Sequence, residues 1–183
     1  MCIVTFAGLN RALRQVVEEL ERHGLWDEQL DRINVYLVPW SWACYGWQHY
    51  GSTGDICIPS ISVARLADRI RGHELPLTDI LRHEYGHALA YISRRLFRSS
   101  WFRQAFGASH EKERASFAYD PRFHVSPYAA INASEDFAET FVLFLRHRGR
   151  LPAAHRTPAK QAKWTFIRNV CSALRRGQKS WAA

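Results

Sequence analysis

The stretch Leu81–Ala90, LRHEYGHALA, constrains this chain more than any other. It lies in a segment that is apolar on nearly every side of a helix, expected to run from about Ile80 to Phe97, with Thr78 and Asp79 as candidate caps. Yet His83, Glu84 and His87 stand in its middle. Side chains four apart on a helix stack on one face, so the two imidazoles aim at one point. Glu84 projects about 100° round from His83, close enough to reach a ligand held there. Burying these three polar groups without a shared partner would be costly. A divalent metal is the economical partner. Neutral imidazole suits Zn2+, and a catalytic zinc usually has three protein ligands and an open position for water. Glu84 then has the placement of a general base.

Two imidazoles leave the third ligand to be found. A glycine at position 90 and a histidine at 93 would have supplied it on the same helix, but the chain has Ala90 and Ser93. The next source is NASEDFAET, where Glu135 and Glu139 lie one turn apart at the start of another expected helix. Asn132 and Glu135 match the cap and third positions of a capping-box-like start, and the apolar run TFVLFL follows. Such a pair can divide labour, one carboxylate binding the metal and the other accepting an N–H from a ligating imidazole. By spacing alone either glutamate could take either role.

HEYGH followed downstream by NASEDFAET resembles the gluzincin metallopeptidases, and more closely the catalytic domain of the anthrax lethal factor-like family. That resemblance covers about residues 80–140. It implies a zinc metallopeptidase with His83, His87 and Glu135 as metal ligands, Glu84 as catalytic base and Glu139 as the carboxylate that orients an imidazole. Tyr128, in VSPYAAIN, stands at the family's offset before the glutamate helix, which implies a hydrogen bond to the developing oxyanion or leaving group. The fold implied is α+β and zincin-like: a small twisted sheet packed on a central HExxH helix, with a second ligand-bearing helix, all within one domain over 1–183. A strand over 55–61 would run beside the site as an edge to which a peptide or protein substrate could add.

The remaining elements follow from periodicity. LNRALRQVVEELERHG spaces Leu9, Leu13, Val16, Val17 and Leu20 as a helix that stops at Gly24. INVYLVP, 33–39, reads as a buried strand, and DICIPSI, 55–61, as a second one. Between them lies an aromatic loop, with Gly51 and Gly54 placed for a turn. VARLADRIRG reads as a short helix, residues 99–127 as irregular with local helix, and Pro158 opens a last amphipathic helix. Gly86, inside the motif, costs about 1 kcal/mol relative to Ala in a helix and fits either a close approach by another backbone or simple tolerance. Asp120 and His124 read as surface-loop residues, and Cys44 with His49 forms no recognisable nucleophile pair.

Charge and cysteines bound the partners. The chain has 183 residues, with 25 Lys and Arg against 17 Asp and Glu and a formal charge of +8, a balance that draws acidic partners. Its basic clusters RHRGR and LRRG could contact phosphates, but they also suit helix C-termini, so nucleic acid is a possible partner and not the favoured one. The four cysteines are scattered without a C-x-x-C pair, which predicts thiols in a reducing compartment. With a poor signal-peptide pattern at the N-terminus and no apolar run of membrane-spanning length, the expectation is a cytoplasmic chain with no membrane partner. The rival to a zinc hydrolase is an accessory protein of similar fold that binds nucleic acid or protein and uses zinc structurally.

Overall fold

A computed structural model describes residues 3–41, 46–50, 53–63, 66–67, 75–110 and 118–178. Within them the fold is mixed α+β, with helices gathered round a small three-stranded sheet. Helix α1, Phe6–Arg22, starts where Thr5 Oγ1 accepts the Gly8 amide at 3.1 Å. Gly24 ends that region at φ +67, a left-handed conformation that glycine adopts without strain. Leu9, Ala12, Val16 and Leu20 form the buried stripe of α1, at the spacing read from sequence. A short helix, α2, Glu28–Asp31, leads into the sheet.

The sheet corrects the sequence reading in three ways. Strand β1, Asn34–Ser41, is an edge strand with no buried residue, not the buried strand expected. The aromatic loop yields a strand of its own, β2, Gly46–Tyr50, at the other edge. Strand β3, Thr53–Ser62, lies in the centre, parallel to β1 and antiparallel to β2. Residues 55–57 are paired on both sides and have no free hydrogen bonds to offer a peptide, while 58–62 pair with β1 alone among the described strands, so the edge expected over 55–61 is not free along its whole length. Burial follows from this order: Ile56 and Ile58 of β3 are wholly buried. Gly54 sits within β3 opposite His49, where a Cβ would fall 2.3 Å from the Gln48 carbonyl oxygen. Close packing, not a turn, requires that glycine.

Helix α3, Leu77–Ile92, carries the HEYGH motif through the middle of the core. It begins directly after Pro76 with no side-chain cap, so Thr78 and Asp79 do not cap it. Asp79 is buried instead, paired with Arg82 and Arg146. Arg82 also grips Glu19 of α1, at 2.6 Å to Oε1 and 2.7 Å to Oε2. This chain of charges, buried at Glu19, Asp79 and Arg82, joins α1 and α3 to the exposed Arg146 of the next long helix.

The expected helix over 80–97 breaks at Ser93, and the short α4, Arg94–Phe97, turns away before α5, Ser100–Phe106. Helix α6, Ala133–Arg146, is capped by Asn132, whose Oδ1 accepts the Glu135 amide at 2.8 Å, as its sequence predicts. Helix α7, Pro158–Arg175, has Thr157 as its cap and Pro158 in its first turn. Edge-to-face contacts among Phe97, Phe102, Phe106, Phe137 and Phe166 bind α4–α7 together. No helix among the described residues is long and apolar enough to cross a membrane. Most of VARLADRIRG, the last residues 179–183 and Cys44 lie outside the described residues.

Candidate metal centre

His83 and His87, one turn apart on α3, present ring centroids 4.7 Å apart in an edge-on arrangement. What brings α6 to them is Gly86. A Cβ there would lie 3.2 Å from Phe141 Cδ1 and 3.4 Å from Ala138 Cα, so the glycine lets the second helix approach closely. Of the two readings of Gly86, close approach is the one observed.

This approach places Glu135 Oε2 3.1 Å from His83 Nε2 and 3.4 Å from His87 Nε2. The two Nε2 atoms are 3.0 Å from each other. Three donor atoms thus form a triangle of nearly equal edges. A tetrahedral zinc with bonds of about 2.0–2.1 Å separates its ligands by roughly 3.3–3.4 Å, close to the size seen. Glu135 Oε2 is buried and lacks a hydrogen bond of proper geometry, despite both rings beside it. An orphaned buried carboxylate oxygen facing two imidazole nitrogens fits a cation between them. Among the described residues, His83, His87 and Glu135 are the group able to hold a metal ion.

Electrostatics agree. Burial works against a charged His83, yet contacts with Glu135 and Glu139 and the nearby Glu84 prevail and raise its pKa to about 10. Burial likewise opposes charge on Glu135, but His83 and His87 hold its pKa down at about 2. Three carboxylates around one imidazole make a place that favours positive charge, whether a proton or a metal.

The two glutamates of α6 meet different nitrogens of His83. Glu139, one turn beyond Glu135, lies with Oε1 3.0 Å from His83 Nδ1. Its other oxygen accepts the Ser126 hydroxyl at 2.7 Å, and Ser126 Oγ accepts the Ala129 amide at 3.1 Å. With Nδ1–H donated to Glu139, the His83 Nε2 lone pair faces inward. Glu84 is buried, and its Oε2 accepts the Trp47 amide of β2 at 2.7 Å. Tyr128 opens a single 3-10 turn, Tyr128–Ala130, half exposed with its ring 5.8 Å from that of His83.

Sequence reading missed two residues here. Ser134 Oγ lies 3.2 Å from His87 Nδ1 and 3.2 Å from His110 Nε2, so a serine bridges the ligating face to a third histidine. Ser134 stands directly before Glu135 in the first turn of α6, which is the signal that could have found it. His110 comes from a segment with no helical pattern, and only the fold delivers it. His83, Glu84, His87, His110, Tyr128, Ser134 and Glu135 line a cleft of about 560 Å³ that also takes in Trp47, His49, Tyr91 and Arg94. Asp120 and His124 lie elsewhere, beside a second cavity of about 670 Å³. Asp120 pairs with Arg122 at 2.7 Å, and His124 is buried, which corrects its reading as an exposed loop residue.

Comparison of the chain with protein-family models, curated proteins and solved structures returns no match.

Proposed function

We propose that this chain is a zinc-dependent metallopeptidase of gluzincin type, with one zincin-like domain and peptide or protein substrates. The observation that carries the reading is the convergence of His83 Nε2, His87 Nε2 and Glu135 Oε2 on one point at the floor of an open cleft, with Glu84 beside them. Zinc is favoured by ligand type, two imidazoles and a carboxylate. Bound there by these three residues, it would polarise a substrate carbonyl and acidify water.

The chain's own groups supply the rest. Glu84 takes the proton of the attacking water and hands it to the departing amide nitrogen. Its Oε2 is held by the Trp47 N–H, which leaves Oε1 for the water and fixes the plane of the carboxylate. Glu139 keeps the ring of His83 oriented, and Ser134 does the same for His87. Tyr128, half exposed at the cleft wall, donates its phenolic hydrogen to the oxyanion of the tetrahedral intermediate.

The rival, an accessory binding protein with structural zinc, calls for a closed set of four protein ligands. Three converge here among the described residues, and the cleft opens beside them. The test joins metal content to turnover. The purified chain should carry one equivalent of zinc, lost on Glu135→Ala, and should cleave an unstructured protein such as casein. Glu84→Gln should retain the zinc and the fold while losing at least about a hundredfold in turnover, as expected when a general base is removed. Full turnover by Glu84→Gln would overturn the mechanism, and a metal-free chain with unchanged activity would overturn the metal.

A further inference from the structure

The ligand face of α3 does not end at the histidines. His83, His87 and Tyr91 follow at four-residue spacing, and after the break at Ser93 the first residue of α4, Arg94, continues along the cleft. The Arg94 guanidinium lies over the Tyr91 ring, 3.9 Å from its centroid. Tyr91 in turn packs against Trp47 and His49 of β2, at centroid distances of 5.8 and 4.7 Å. The cation is therefore held in place by an aromatic wall.

Stacking uses the face of a guanidinium and leaves its edge. That edge carries the N–H donors whose fork matches a carboxylate, so a stacked arginine is pre-organised for one. No carboxylate among the described residues pairs with Arg94. The two acids that line the same cleft are already engaged, Glu84 by the Trp47 amide and Glu135 by the two imidazoles. The formal charge of +8 draws acidic ligands to the chain as a whole.

We propose that Arg94 forms a subsite that recognises a carboxylate on the peptide substrate and so sets a preference for acidic peptides. The guanidinium lies over Tyr91, which is four positions beyond His87 on α3, roughly 6 Å at about 1.5 Å per helical residue. An extended peptide covers that in about two residues, which places the recognised carboxylate about two residues from the bond that is cut. The carboxylate belongs either to an Asp or Glu side chain or to the C-terminus of the peptide. This subsite rests on the peptidase reading.

Binding and turnover are measured separately on the zinc-loaded full chain. Fluorescein-labelled, C-terminally amidated Ala/Ser peptides carry one Glu at successive positions, each with a Gln counterpart, and anisotropy is read on the Glu84→Gln chain. Expected is about tenfold tighter binding of the best Glu peptide than of its Gln partner, the low end of what hydrogen bonds to a charged group supply. Arg94→Gln should bring the two to one affinity, Arg94→Lys should keep part of the difference, and Arg94→Glu should invert it toward Lys peptides. A neutral peptide with a free C-terminus that reproduces the preference assigns the carboxylate to the terminus, and its failure assigns it to the side chain. An unchanged Glu-to-Gln ratio in Arg94→Gln, or no preference in its parent, overturns the subsite. Turnover without Arg94-dependent discrimination rejects the subsite and leaves the peptidase standing. Arg94-dependent binding in a wild-type chain that hydrolyses nothing rejects the peptidase and leaves the subsite.

Discussion

His83 Nδ1 stands 3.0 Å from Glu139 Oε1, while the Nε2 of the same ring faces Glu135 at 3.1 Å. One imidazole thus separates two carboxylates that come from successive turns of α6. Each carboxylate has a distinct task because each meets a different nitrogen.

Glu139→Ala should therefore weaken zinc binding without unfolding the chain. It leaves His83 free to rotate and removes the acceptor that fixes its tautomer, a change that costs about 10–100-fold in metal affinity at comparable sites. Competition with a zinc-binding dye measures this, with circular dichroism as the control for fold. Ser134→Ala should have a smaller effect in the same direction through His87. Unaltered affinity in both variants would mean the two contacts are ornamental.

Gly86→Ala sets two effects against each other. Alanine gains about 1 kcal/mol of helix propensity, but its methyl would press on the Phe141 ring. Overpacking a tight contact costs about 1–3 kcal/mol, so a net loss near 1 kcal/mol is expected in urea unfolding. Because α6 must move away, zinc affinity should also fall several-fold. A stabilised variant with full affinity would show that the close approach is not needed.

Removing Arg82 should be the more damaging change. Glu19 and Asp79 are both buried against it, and Asp79 has Arg146 as a second partner. Arg82→Ala leaves Glu19 as a buried charge without its cation and should cost about 3–5 kcal/mol. Urea unfolding of metal-free protein reads this directly.

The site predicts opposite pH trends for its two forms. In metal-free protein, burial disfavours the charged ring of His83, but Glu135 and Glu139 win and raise its pKa from 6.5 to about 10. A raised pKa contributes stability that is complete below the unfolded value and disappears as pH rises through about 10. Zinc needs the neutral ring, so the metal competes with that proton. The rise in Tm on adding zinc should then grow between about pH 6.5 and 8.5, the window in which unfolded-state histidine has lost its proton and the folded ring has not. A zinc-dependent shift that shrinks over this range would contradict the assignment of His83.

Much of the centre was legible because its signals are local. HEYGH and NASEDFAET each place their side chains by helical spacing alone, and the cap at Asn132 was read from three residues. What failed was long-range. INVYLVP has the composition of a buried strand, but its burial depends on which strand pairs with it on either side. Thr78 and Asp79 have the chemistry of caps, yet Arg82 and Arg146 claim Asp79 for a buried pair. His110 carries no pattern at all, and Arg94 reaches the cleft beyond a helix break at Ser93 that the motif does not announce.

By itself the sequence determined that HEYGH and NASEDFAET lie on helices and how the groups they carry are spaced, since helix geometry repeats every few residues and needs no distant partner. Tertiary structure decided that Glu135 faces both Nε2 atoms, that β2 and not β3 borders the cleft, and that Ser134, His110 and Arg94 join it. The first of these depends on how closely α3 and α6 can pack, to which the missing side chain of Gly86 against Ala138 and Phe141 contributes. Contact between remote segments is an energetic property of the whole core, and no single stretch of chain encodes it.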